Sequence, residues 1–477
     1  MPATAAGRAI GSPPRAASAS PGEPSRPPIP SAGEAPAPSV PDDLAVDHVP
    51  DETSLRQVPA FVWCLLGALV CGMFSGYSAL LGFPIGPDRV LLAAALVLLA
   101  LDERRPRLGL HPVYVPMVAL VAWTAWSMST HGLATSSNAL FALLDRIMVP
   151  FVMFVVAPLA FATPRRRRLL AQTIVLVGLY LGVLALLETF GPKALVWPRY
   201  ILDPTIGIHQ ERARGPFGSA EANGMVLGIA LAMALWLRSP AAAVTSRLWR
   251  LLALACLATT ALGLVLTQTR SIWAAVPLAL VCLAIGLPQI RRHLPLPIVG
   301  AVVAFLLLLV VVPGFGQLLW DRLTTERSVY DRQNSNAAAW RIIEAQPLTG
   351  VGWTRFIDVG WDWVRQAPTY PITEINLEVH NVFLGRGAET GLPGMVLWIV
   401  CVALGPAAML LRRPRDPERR GWWAVLIVAF WFWLLPSLTS PNPYPLPNNL
   451  FWLVGGIVAA PLLVRPSATR GEPHVDR

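Results

Sequence analysis

Apolar runs alternate with short polar links along most of the chain. A spanning helix needs about 20 predominantly apolar residues. On that measure, spans are expected near 60–82, 88–101, 111–129, 139–162, 168–190, 222–238, 248–268, 271–288, 295–313, 392–411, 421–438 and 448–465. The second run is short. Asp145 and Arg146 interrupt the fourth, so both should face protein rather than lipid. The expected fold is an all-α polytopic membrane protein of about twelve transmembrane helices.

One polar stretch breaks this rhythm, from about 314 to 391, between the ninth and tenth spans. Long loops are usually functional or disordered. This one carries Trp320, Trp340, Trp353, Trp361 and Trp363, and disordered segments lack aromatic residues, so the loop should fold. Residues 1–57 are instead rich in Pro, Ala, Ser and Gly, with an acidic end from Asp42 to Glu52. A disordered arm is expected there. It has no apolar core of a signal peptide. The expected organisation is this arm (1–57), a membrane domain (58–465) containing the 314–391 loop, and a short tail (466–477).

Charge then orients the helices. Only 14% of residues are charged, against about 25% in a soluble domain, which favours the membrane reading. The net charge of +10 is mostly Arg, in short clusters between spans. That distribution sets topology and does not suggest a nucleic-acid surface. With the N-terminus cytoplasmic, the clusters at Arg104–Arg107, Arg165–Arg168, Arg238 to Arg250, Arg291–Arg292 and Arg412–Arg420 all fall on the cytoplasmic side. Both termini are then cytoplasmic, and the loops 191–221 and 314–391 face outward. The five cysteines lie inside apolar runs without metal-type spacing and read as small buried hydrophobes.

Arginines on the outer side are the informative exceptions. Arg214 precedes the sixth span, Arg270 sits in an almost absent link, and Arg341 lies on a short helix predicted from about Ser335 to Ala345, ending before Pro347. The plain readings are snorkelling or pairing with Glu221 for Arg214, a cross-bundle acid for Arg270, and a surface position for Arg341. The joint functional reading is a site for a phosphorylated lipid headgroup. Arginine makes bidentate, permanently charged contacts to phosphate oxygens. The Gly215–Gly218 turn, followed by Ser219 to Asn223, opens the sixth span, and free N–H groups there would add anion affinity. His380 is the one histidine of the large loop. It fits as a proton acceptor that Glu378 or Glu389 could orient or make more basic. Its plain reading is a cap on the next helix. Asn381 and Glu389 have similar structural alternatives as polar residues near a helix start. No Asp-x-Asp, Walker, Gly-x-Gly-x-x-Gly or Cys/His metal pattern is present, so neither metal nor cofactor is expected.

These residues form a series that resembles a known family. Arg214-Gly215-Pro216-Phe217-Gly218 with Asn223 is similar to its Arg-x-Gly-x-Phe…Asn element, and Thr269-Arg270-Ser271 to its Ser/Thr-Arg-Ser element. Arg341 with Pro347–Gly352 resembles the start of its large loop. His380-Asn381-Val382-Phe383-Leu384 with Glu389–Gly394 resembles the loop's end. The family is that of O-antigen ligases and Wzy-type polymerases. The resemblance implies a GT-C-type, metal-independent, inverting glycosyltransferase in the bacterial inner membrane, with its large loop outside. The implied donor is an undecaprenyl-pyrophosphate-linked glycan, and the implied acceptor is a glycan or glycolipid. Arg214 and Arg270 would bind the pyrophosphate, with Arg341 as a less defined helper, and His380 would act on the acceptor hydroxyl. Asn381, Glu389 and Asn223 would support them. Ligase and polymerase stay open on these motifs, and a transporter or flippase is the rival from another class. Against that rival, no inverted repeat and no discontinuous helix is evident in the sequence. A non-catalytic assembly scaffold is a further alternative.

Overall fold

The computed structural model describes residues 57–244, 246–293, 306, 309–310, 314–324, 326–373 and 378–465. The N-terminal arm, the predicted tail and nearly all of the ninth predicted span lie outside the described residues. The principal elements are helices α1 (Ala60–Leu81), α2 (Pro87–Leu101), α3 (Tyr114–Thr130), α4 (Ser137–Ala160), α5 (Pro164–Thr189) and α6 (Ala220–Arg238). They continue as α7 (Arg247–Leu266), α8 (Arg270–Gly286), α9 (Arg327–Ala345), α10 (Val382–Leu410), α11 (Pro417–Thr439) and α12 (Pro445–Leu463).

Eight of these, α1, α4 to α7 and α10 to α12, are long and apolar enough to cross a membrane. Helices α2, α3 and α8 form where spans were expected but have only 15, 17 and 17 residues. Among the described residues, length and composition therefore give eight candidate spans where about twelve were expected.

Local chemistry explains the helix starts. Side-chain oxygens of Ser136, Thr163, Ser219, Asn381 and Asp416 accept from free N–H groups at the first turns of α4, α5, α6, α10 and α11. Proline fills an early position of α2, α5, α11 and α12, where its missing N–H costs nothing. Helix α6 is the centre of the bundle, with 89% of its apolar window buried. The charges inside α4 do face protein. The helix widens into a π-turn over Leu144–Met148, Asp145 pairs with Arg89 at 2.6 Å, and Arg146 pairs with Glu378 at 2.7 Å.

The large loop is folded, as its aromatic content led one to expect. Helix α9 packs Ala338, Ala339 and Ile342 against Val351, Phe356, Val364, Val379 and Ala388. Trp353 is fully buried in the bundle itself and donates its indole N–H to the Ala139 carbonyl at 3.0 Å.

Helix α10 starts at Val382, well before the expected 392, and breaks at Gly391 (φ 72°, ψ 178°). The sequence had suggested no discontinuous helix, so this is a correction. The break frees carbonyls that the Pro347–Gly352 turn then occupies. Val351 N–H donates to Ala388 at 2.9 Å, Gly352 N–H donates to Glu389 at 3.0 Å, and Leu392 N–H returns to Pro347 at 2.7 Å. Trp123 of α3 adds a bond to the Thr390 carbonyl at 2.8 Å.

An L residue at 391 would be strained by its positive φ, and its Cβ would meet the Leu348 carbonyl oxygen at 2.3 Å. Backbone cannot yield as a side-chain tip can. Gly391→Ala should therefore cost about 2 kcal/mol or more and lower the melting temperature of the purified protein by several degrees. Gly76→Ala, where an added methyl meets nothing within 4 Å, should leave it near the wild-type value. Equal melting of the two variants would refute this account of the joint.

Candidate active site

Helices α6, α8, α10 and α12 all begin at the same end of the bundle, where the folded loop sits. Their first turns bring His380, Glu221, Ser271 and Tyr444 into one neighbourhood, and α9 adds Arg332, Asp331 and Ser335. Ser335, fully buried, lies 3.2 Å from His380 Nδ1. With the Ser335 hydroxyl donating to the Arg332 carbonyl at 3.2 Å, its oxygen can accept from Nδ1–H. In that tautomer Nε2 carries the lone pair that can take a proton.

Burial, and then the positive charge of Arg332, push the His380 imidazole down to about 4. Asp331 and Glu378 oppose this, and burial and Arg332 prevail. The sequence suggested the reverse, a histidine made more basic by a neighbouring glutamate. Glu378 does act in that direction, but it is held by Arg146 in a two-pronged pair, with both contacts at 2.7 Å, and burial and Arg332 outweigh it. Glu389 is also committed elsewhere. It is buried in α10, 3.9 Å from Arg386, and takes a backbone bond from Thr354. Arg386 in turn lies over the rings of Trp353 and Trp398, at 4.5 and 5.4 Å.

Arg332 is the main residue that the sequence did not single out. Burial lowers its pKa, Glu221 opposes this, and the charge of Arg270 lowers it further. Arg270 is the half-buried first residue of α8 and is thus within electrostatic reach of Arg332. Glu221 anchors the other side. It accepts from Ser271 Oγ at 3.2 Å and from the Ser440 hydroxyl. Tyr444 bonds the Ser219 side chain and lies near Glu221 and Glu378. The same end carries the turn that holds Ser440 and Tyr444. It is pinned by Asn442 and Asn448, whose amides bond Ser437 Oγ at 2.9 Å and the Tyr444 carbonyl at 2.8 Å.

Other expected residues are placed differently. Arg341 is on α9 too, but nine positions from Arg332, about two and a half turns along, which puts it on the opposite face. It donates to the Trp363 carbonyl at 3.0 Å and fastens the Trp361–Trp363 turn. The Arg214 guanidinium is buried among carbonyls, at 3.0 Å from Ile201, 2.6 Å from Ile206 and 2.7 Å from Asp203. The backbone N–H groups of Arg214 and Gly215 are both taken by the Glu188 carboxylate, at 3.0 Å each. Asn223 holds the same loop through the Ala213 carbonyl at 2.9 Å. Asn381 is the cap of α10, accepting from Phe383 and Leu384 at 2.9 and 3.1 Å. The structure thus gathers His380 and Arg270 with Arg332, while Arg214, Asn223, Arg341, Asn381 and Glu389 hold the walls. A charge count could have raised Arg332, since Asp331-Arg332 is the one adjacent acid–base pair on α9.

Chemically, the site offers a neutral imidazole beside the Arg332 guanidinium, with Arg270, at the positive end of α8, within electrostatic reach of Arg332. That combination suits an anionic group next to a hydroxyl that must lose a proton. Residues 255–399 match the family model described as O-antigen ligase, and this stretch contains Arg270, Arg332 and His380. The match supports an O-antigen ligase-type family. No curated protein matches the chain.

The electrostatics can be measured without any substrate. In ¹⁵N-histidine NMR of the solubilised protein, His380 should be half-protonated near pH 4, and Arg332→Gln should move that midpoint upward toward 6.5. Removing a cation removes a cost of protonation, which fixes the sign. A midpoint near 6.5 in both proteins would show that neither burial nor Arg332 controls the imidazole.

Proposed function

We propose that this chain, of an O-antigen ligase-type family, is a membrane glycosyltransferase. It moves a glycan from an undecaprenyl-pyrophosphate-linked donor onto an acceptor hydroxyl at the outer face of the inner membrane. The observation that carries this is the meeting of His380 with Arg332 and Arg270 at the loop end of the bundle.

In this reading Nε2 of His380 takes the acceptor's hydroxyl proton. The hydroxyl oxygen attacks the anomeric carbon from the face opposite the pyrophosphate, so the configuration inverts. The bond to the pyrophosphate oxygen breaks, and that oxygen keeps the electron pair. Arg270, Arg332 and the first turn of α8 stabilise the charge that grows there, most strongly in the transition state. Fixed cations fill the role a metal ion plays in other transferases, so the reaction is metal-independent in this scheme. The low basicity of the empty site has a consequence. Bound pyrophosphate offsets the Arg332 charge, which raises the imidazole's affinity for a proton when a donor is in place.

A transporter reading draws support from one observation, the broken helix at Gly391. There, however, the freed carbonyls are already occupied by Val351 and Gly352, so the break serves loop attachment. The product decides whether the acceptor is a separate molecule or another lipid-linked repeat.

The test is transfer by the purified protein in nanodiscs, with a lipid-pyrophosphate glycan donor, candidate acceptors and EDTA. His380→Ala, Arg270→Ala and Arg332→Ala should each lower the rate about 100-fold or more, and Arg341→Ala less than about 10-fold. Wild-type transfer by His380→Ala would overturn the assignment of the base. Substrate flux across vesicles without any transfer would replace the enzyme by a transporter.

A further inference from the structure

The chain that follows α5 turns back along the helix it has just left. The Tyr180 hydroxyl, nine residues before the end of α5 at Thr189, donates to the Trp197 carbonyl at 2.6 Å. At about 1.5 Å per residue, Tyr180 lies roughly 13 Å below the helix end. The Trp197 ring also meets Phe74 edge-on, with 5.6 Å between centroids, and Phe74 lies seven residues before the end of α1 at Leu81. The segment from Phe190 to Trp197 therefore descends beside two helices that are long and apolar enough to cross a membrane. It returns through Tyr200, whose hydroxyl donates to the Pro216 carbonyl at 2.7 Å, shortly before α6.

Backbone at that depth must have its polar groups satisfied. The composition of the segment helps, since Pro192 and Pro198 carry no N–H to satisfy. Two short helical turns, Lys193–Leu195 and Arg199–Leu202, supply local bonds. Leu195 N–H donates to Pro192 at 2.9 Å, Val196 N–H to Lys193 at 3.2 Å, and Ile201 N–H to Pro198 at 3.2 Å. Both long cations turn back toward the end of α5. The Lys193 ammonium donates to the Glu188 carbonyl, and the Arg199 guanidinium to the Lys193 carbonyl at 2.9 Å. Cations held among lipid chains reach for the headgroup level in this way.

The segment has two faces. Val196, Tyr200 and Ile201 are buried with Leu184 of α5. Leu195 and Trp197 face away from that cluster and are 63% and 56% exposed. On α5 itself, Leu176, Tyr180 and Val183 follow helical spacing and share one side of the helix. Leu176 and Val183 are exposed on either side of the Tyr180 anchor. The open apolar face of the segment is thus continuous with an open apolar face of a candidate span. We propose that residues 190–202 form a re-entrant wedge seated in the lipid leaflet at the loop end of the bundle. Leu195 and Trp197 lie against acyl chains, and Lys193 and Arg199 extend to the phosphates. Continuity with α5 selects lipid as the occupant, because a protein partner covering Trp197 would have to cover the spanning face of α5 as well. Tryptophan is the side chain that this boundary zone favours.

Fluorine NMR of the full chain, labelled with fluorotryptophan and reconstituted in phosphatidylcholine nanodiscs, tests this. Loss of one resonance in Trp197→Phe identifies Trp197, and Trp452→Phe identifies the fully buried Trp452 as a baseline. A nitroxide carried on the lipid acyl chains should broaden the Trp197 resonance several-fold more than that of Trp452. A water-soluble gadolinium chelate should broaden the two alike. Tyr180→Phe keeps the ring but removes the anchoring hydroxyl, so it should weaken the nitroxide effect at Trp197 and strengthen the gadolinium effect. Broadening of wild-type Trp197 by gadolinium and not by the nitroxide would put the segment in water and overturn the proposal. Broadening by neither would overturn it too, since protein, such as a second copy of the chain, would then cover this face.

Discussion

The structure depends on how the break in α10 is satisfied. A helix interrupted inside a membrane domain exposes carbonyls that lipid cannot bond, and each would cost several kcal/mol if left bare. Here the large loop supplies the missing donors from Val351 and Gly352, and Gly391 supplies the backbone angle that lets the two meet. The loop is thereby part of the bundle's own hydrogen bonding. Trp353, plugged into the core beside Ala139, and the Arg146–Glu378 pair lock it from two further directions. His380 lies between these fixed points, two residues after Glu378 and one before the cap of α10. Its position is set by bonds that belong to the fold.

That rigidity matters because the site concentrates like charge. Arg270 and Arg332 oppose each other, and Arg332 also bears on an imidazole that burial already keeps neutral. A flexible loop would relieve such crowding by swinging Arg332 into water. Helix α9 cannot do so, since its other face is packed on the loop core and fastened through Arg341 to Trp363. Arg341 thus bears on the site from the far side of the same helix, by holding it in register.

Much of this was legible in the sequence, for definable reasons. Apolar length revealed the helical class, and the tryptophans of the 314–391 stretch revealed that it folds. Arg270 stood out because a guanidinium in so short a link has few places to go, and His380 because it was the loop's one histidine. The rest was hidden for a common physical reason. Backbone carbonyls leave no mark in a sequence, so the partners that absorb Arg214 at Ile201, Asp203 and Ile206 were invisible, as was the Trp363 carbonyl that takes Arg341. Arg332 was overlooked because its value depends on which face of α9 meets the bundle, and that follows from packing of Ala338, Ala339 and Ile342 across the loop. The acid beside His380 was correctly noticed in Glu378, but its partner lies 232 positions away in the chain, at Arg146. The break at Gly391 reads as an ordinary Thr-Gly-Leu-Pro link until the turn that completes it is seen.

The presence of Glu221 in a site argued to bind an anion follows from the same electrostatics. Two half-buried cations that repel each other are costly in the empty protein, and Glu221 lies close enough to Arg332 to offset part of that cost. On the proposed reaction it also limits a problem at the end of the cycle. The leaving pyrophosphate carries more charge than it did as an ester, so the arginines that favour the transition state also favour the bound product. A fixed carboxylate held by Ser271 and Ser440 opposes that attraction in every state and weakens product retention as well as donor binding. What it cannot weaken equally is the difference between donor and transition state, because that difference is set by the charge appearing on one oxygen. An acid inside an arginine site is in this way compatible with turnover, and two unopposed arginines would bind more tightly without transferring faster.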